Sequence, residues 1–258
     1  MVEEKQITPT RLGVLMALLI FLCYGLTQSL VIEGVMFLGG IFIGFTKIDS
    51  NPESLEVAYR LTRALAMLSG FAISGLIVFL MTRYFAKDIV FENSLTGIAL
   101  SWGTRFYLGL GLVFGAVLGA GVFLIGYYVF PVDIDPSKVM LPEVGLSIGY
   151  TQFIWLAIVL LISPLVEEFV FRGVLFAAVT RSWNWPLAAI IVTLFFTLIH
   201  LPRTIYYPPA TIAIIVLGVS TLGFRMLGNS LGPAVAVHFG YNLSVVLVSN
   251  TFSGFSPQ

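Results

Sequence analysis

Residues 163–173 read SPLVEEFVFRG, and they lie inside 148–180, an apolar run long enough to cross a bilayer. Three charges, Glu167, Glu168 and Arg172, therefore sit where hydrocarbon would make each cost at least a few kcal/mol unless paired or hydrated. The surrounding chain gives that reading its weight. Of 258 residues, 58% are hydrophobic and 10% charged, with 13 basic against 13 acidic side chains. The mean hydropathy is +1.00. No soluble domain of ordinary composition looks like this, and near-continuous apolar runs do not fit the alternating pattern of an outer-membrane barrel. The expected fold class is all-α, a polytopic transmembrane helical bundle of seven to eight spans enclosing a polar cavity.

The candidate spans are 12–32, 64–82, 106–130, 148–180 with an interruption near Pro164, 186–206, 210–227 and 231–250. The first reads as a retained span, because it is longer than a signal-peptide core and lacks a clear cleavage site. The apolar piece GVMFLGGIFIGF at 34–45 is short for a span and reads as re-entrant, interfacial, or half of an eighth helix. Polar breaks fall at 46–56, around 83–92, and at PVDIDPSKVMLPE, 131–143. None is long enough for a second soluble domain, so 1–258 is expected to form a single membrane domain. Gly111, Gly115 and Gly119 recur every fourth residue, a stripe that lets another helix approach closely. Cys23 has no partner for an internal disulfide and reads as an apolar side chain.

Net charge near zero and the lack of a basic cluster argue against a nucleic-acid partner and point to the lipid bilayer and membrane-borne molecules. With a cytoplasmic N-terminus, that side collects Lys5, Arg11, Arg83, Lys87, Arg105, Arg172, Arg181 and Arg225, against Lys47, Arg60, Arg63, Lys138 and Arg203 opposite. The bias toward the cytoplasmic side is modest.

Within 148–180, Glu168 and Arg172 are four apart and stack as an ion pair, whereas Glu167 is rotated about 100° and left free for another task. The competing reading is a charge-balanced packing knot. The two histidines of the chain lie in apolar helical runs, FTLIH (196–200) and HFGYN (238–242). Phe196 and His200 share a helix face, as do His238 and Asn242. Counting from the turn RSWNWP (181–186), Glu167 and His200 both lie about 20 Å deep on antiparallel neighbours. His238 and Asn242 come out shallower, at roughly 8 and 14 Å below the turn GNSLGP (228–233). A buried carboxylate beside an imidazole suits activation of water, and an imidazole N–H with an amide one turn away can stabilise an oxyanion. Together the groups fit hydrolysis of an acyl bond.

EEFVFR, FTLIH and HFGYN, as EExxxR, FxxxH and HxxxN in that order, resemble the CAAX protease and bacteriocin-processing (CPBP, ABI) family of intramembrane glutamic endopeptidases. The resemblance covers roughly 150–250, which would be the catalytic core; the first 145 residues match only as generic membrane helices. It implies Glu167 as general base with His200 helping to hold the attacking water, His238 and Asn242 as the oxyanion hole, and Glu168, Arg172 and Phe196 in support. It further implies about eight helices around a cavity open to the cytosol, no cofactor or metal, and a membrane-associated peptide or protein substrate, in some members a prenylated CAAX sequence. Other members act as scaffolds or immunity factors, which is the main alternative.

Two rivals lie outside the family. A zinc protease could use the two histidines and two glutamates, but HExxH is absent and Arg172 would repel a cation. A proton-coupled carrier also uses intramembrane carboxylates, yet no internal repeat is evident and the polar groups fall in one half of the chain.

Overall fold

The computed structural model describes residues 12–46, 52–129 and 149–253. The loop at 131–143 and the side chains of Lys5, Arg11, Lys47, Lys138 and Arg203 lie outside the described residues, and the break at 46–56 is described only in part. Among the described residues there are seven long helices and no strand: α1 (Val14–Thr46), α2 (Pro52–Phe85), α3 (Arg105–Val129), α4 (Tyr150–Ser182), α5 (Trp185–Thr204), α6 (Pro208–Leu227) and α7 (Leu231–Ser253). All seven are long and apolar enough to cross a membrane, so the protein is an integral, multi-pass helical bundle.

Residues 34–45 do not form a re-entrant piece or a half-helix; they continue α1. No proline or polar breaker interrupts 14–46, and each added residue gains one more backbone hydrogen bond. The extension packs on α2, where a side chain at Gly39 would collide with Thr62. At 33 residues α1 is about 50 Å long, well beyond the hydrocarbon thickness. Exposed Glu33 falls about 29 Å along the helix from Val14, about one hydrocarbon thickness.

Pro164 does not interrupt α4 either. Ile158–Ile162 forms a wide π-type turn in which the Ser163 amide reaches back to the Ile158 carbonyl. The next carbonyl in that pattern, Val159, would need the amide of residue 164, which proline lacks. Asn242 of α7 supplies the donor instead, with Nδ2 2.9 Å from Val159 O. A second wide turn, Phe169–Leu175, follows the two glutamates.

Lipid is as apolar as leucine, so exposed Leu15, Leu30, Phe37 and Phe45 on α1 need no cover. What the bundle hides is set by packing and polarity. Phe171 contacts Phe21 and Phe196 edge-on, at 5.5 and 5.3 Å between ring centres, which brings α1, α4 and α5 together. The glycine stripe of α3 meets α7: side chains at Gly111, Gly115 and Gly119 would strike Pro233, Val237 and Tyr241 or Ser244, and one at Gly240 would strike Leu112. Close approach there fixes the helix that carries His238.

Two ends are held by specific bonds. α5 starts at Asn184, whose Oδ1 accepts from the Leu187 amide at 3.0 Å, with proline in the first turn. The first amides of α7, from Leu231 and Gly232, donate to Ala99 and Ser101 carbonyls in the 86–104 loop, at 2.9 and 3.0 Å. Arg172 and Arg225 are fully buried, which removes both from the loop charges that the sequence assigned to the cytoplasmic side.

Candidate active site

α4, α5 and α7 bring Glu167, Glu168, Arg172, Phe196, His200 and His238 to one place. Glu167 is 6% exposed, His238 4%, and Glu168 and Arg172 not at all. His200 is the open member, with a quarter of its side chain exposed (25%). Glu168 and Arg172 form the expected pair at 3.2 Å across one turn. Arg172 Nη2 also donates to Gly218 O of α6 at 3.0 Å, and its guanidinium lies over the Phe196 ring at 4.2 Å.

Glu167 does not stand apart from this face as its rotation along a regular helix suggests. Both adjacent carboxylates face inward and His238 bridges them: Nδ1 is 2.8 Å from Glu168 Oε1 and Nε2 4.0 Å from Glu167 Oε2. His200 approaches from the other side, Nε2 3.9 Å from the same Glu167 Oε2. Separations near 4 Å are too long for direct hydrogen bonds and leave room for a bridging water. Glu167 Oε2 is buried and has no hydrogen-bond partner, while Oε1 accepts from Ser163 Oγ.

The backbone assigns the His200 tautomer. Nδ1 lies 2.7 Å from Phe196 O, and a carbonyl only accepts, so Nδ1 carries hydrogen and the neutral ring offers an Nε2 lone pair toward Glu167. For His238 the carboxylate at Nδ1 plays the same part, so a donor at Nε2 requires a doubly protonated ring. In that form Glu167, Glu168, Arg172 and His238 sum to zero charge.

Asn242 is the one candidate the structure sets apart from the carboxylates. It lies a turn beyond His238 on α7, and its amide is engaged with Val159 O. Two neighbours escaped the sequence reading. Ser163 touches Glu167 directly. Tyr24 of α1 is buried within electrostatic reach of Glu167 and hydrogen-bonded to Gln28. Its signal was present as a polar pair four residues apart inside an apolar span. Among the described residues, no group of three His, Cys, Asp or Glu side chains is arranged to hold a metal ion.

Fold and site define an integral membrane protein with a carboxylate–imidazole centre buried among its helices. Residues 149–244 match the family model for the type II CAAX prenyl endopeptidase Rce1-like proteins, the family that the three motifs resemble. The match supports a membrane endopeptidase in general. No curated protein and no solved structure matches the chain.

Proposed function

We propose that this protein is an intramembrane endopeptidase that hydrolyses a peptide bond of a membrane-associated substrate, of the prenylated CAAX type, with water activated by Glu167 and His200. The observation that carries the reading is the unpartnered Oε2 of Glu167 facing the imidazole Nε2 of His200 at 3.9 Å. A water at about 2.8 Å from both would subtend roughly 90°, close enough to tetrahedral for it to donate to each acceptor and turn a lone pair outward.

In the step that follows, the water oxygen bonds to the acyl carbon and its proton passes to the Glu167/His200 pair. The carbonyl oxygen gains negative charge, which His238 Nε2–H offsets; Asn242 keeps a second amide hydrogen beyond the one on Val159 O, available in the same role. The C–N bond then breaks, the stored proton goes to the leaving amine, and the products are an amine and a carboxylic acid that ionises on release. Glu168 and Arg172 hold His238 in place and balance its charge. In this reading 1–258 acts as one membrane domain with its catalytic core at 150–250.

The test is cleavage by purified protein in detergent of a farnesylated CAAX peptide and of unmodified transmembrane peptides, comparing wild type with Glu167→Ala, His200→Ala and a chelator-treated sample. The expected result is cleavage that survives the chelator and is lost by a factor of about 10² or more in both variants. Cleavage lost to the chelator and restored by zinc would replace this mechanism with a metal-dependent one. A folded protein that cleaves nothing in the panel would favour a scaffold.

A further inference from the structure

We propose that Ser163 is a positioning residue for Glu167: its hydroxyl occupies Oε1 and so designates Oε2 as the oxygen that takes the proton from water. The proposal rests on the reading of Glu167 and His200 as the water-activating pair. Its own support is geometric. Ser163 Oγ donates to Oε1 across one helical turn. The other oxygen of the same carboxylate is buried without a partner and is the one that faces both Nε2 atoms, at 3.9 and 4.0 Å.

A carboxylate rotates broadly about its last torsion, and nothing in a glutamate alone distinguishes its two oxygens. An anchored hydroxyl removes that freedom. Ser163 and Glu167 are four apart on the regular helical turn Ser163–Glu168, so the hydroxyl stacks against the carboxylate. Ser163 lies outside the three motifs, one residue before Pro164.

The experiment measures kcat and KM on a farnesylated CAAX peptide for wild type, Ser163→Ala, Ser163→Thr and Glu167→Gln, each checked for folding by thermal unfolding. Ser163→Ala should lower kcat about tenfold. Its KM should stay within about twofold of wild type. Ser163→Thr, which keeps the hydroxyl, should recover most of the loss. Wild-type kcat in Ser163→Ala beside an inactive Glu167→Gln overturns the proposal while leaving the proposed function standing, as does equal loss in Ser163→Ala and Ser163→Thr. Wild-type cleavage by Glu167→Gln overturns both. Infrared spectra of the same proteins need no turnover: the carboxylate band lost in Glu167→Gln should shift in Ser163→Ala and stay in place in Ser163→Thr. An unshifted band in Ser163→Ala overturns the proposal.

Discussion

Arg172 and Arg225 are both fully buried, yet they are compensated in opposite ways. Arg172 meets a carboxylate, Glu168, and through it the imidazole of His238. Arg225 meets two backbone carbonyls, Ser94 O and Gly97 O, each 2.9 Å from Nη2. The first arrangement is an electrostatic set in which every member depends on the others. The second is a clasp that ties the 86–104 loop to the end of α6, and that loop in turn receives the first amides of α7. One cation serves the polarity of the site and the other serves the placement of its helices.

Breaking the first arrangement should cost most. Arg172→Ala leaves the two buried carboxylates one cation short and should destabilise the protein by about 3–5 kcal/mol, read by thermal unfolding in detergent. The double change Glu168→Gln with Arg172→Met should regain most of that stability while cleavage stays low, because removing both charges removes the penalty but not the need to hold His238. A double variant as unstable as Arg172→Ala would show that shape, not charge, dominates there.

Arg225→Met should cost less, about 1–3 kcal/mol, since it strands two carbonyls rather than a charge. Limited proteolysis should then cut within 86–104 faster than in wild type, and the folded fraction should keep cleavage within a few-fold. Equal stability losses at the two arginines would erase the distinction drawn between them.

Two glycines of α3 should separate, and the second gives the smallest effect. A side chain at Gly115 would strike the Val237 backbone of α7, so Gly115→Ala should cost about 1–3 kcal/mol and depress activity by displacing His238. Gly109 faces open space, and Gly109→Ala should be neutral or stabilising by up to about 1 kcal/mol. Thermal unfolding of the pair tests whether close approach to α7 is what the stripe provides.

The spans and the clustering of the motif side chains were legible because they rest on composition and on spacing within single helices. Glu167 and His200, placed at equal depth by counting residues from their shared turn, do meet at 3.9 Å. What escaped depends on partners remote in sequence. The wide turn at Ile158–Ile162 is closed by Asn242, 83 positions from Val159, so a proline that reads as an interruption becomes a continuous helix with a displaced register. The Arg225 clasp spans 128 and 131 positions, and its loop has no periodicity to read. Residues 34–45 read as too short for a bilayer, but a helix stops where its backbone is interrupted, not where the membrane ends.

The central claim is that Glu167 and His200 act on one water as a unit. The direct test is kcat for Glu167→Gln, His200→Gln and the double variant on the same farnesylated peptide. The account predicts that each single change costs about 10²-fold or more and that the double variant is no worse than the poorer single one. Losses that multiply in the double variant, or a single variant that turns over like wild type, would contradict it.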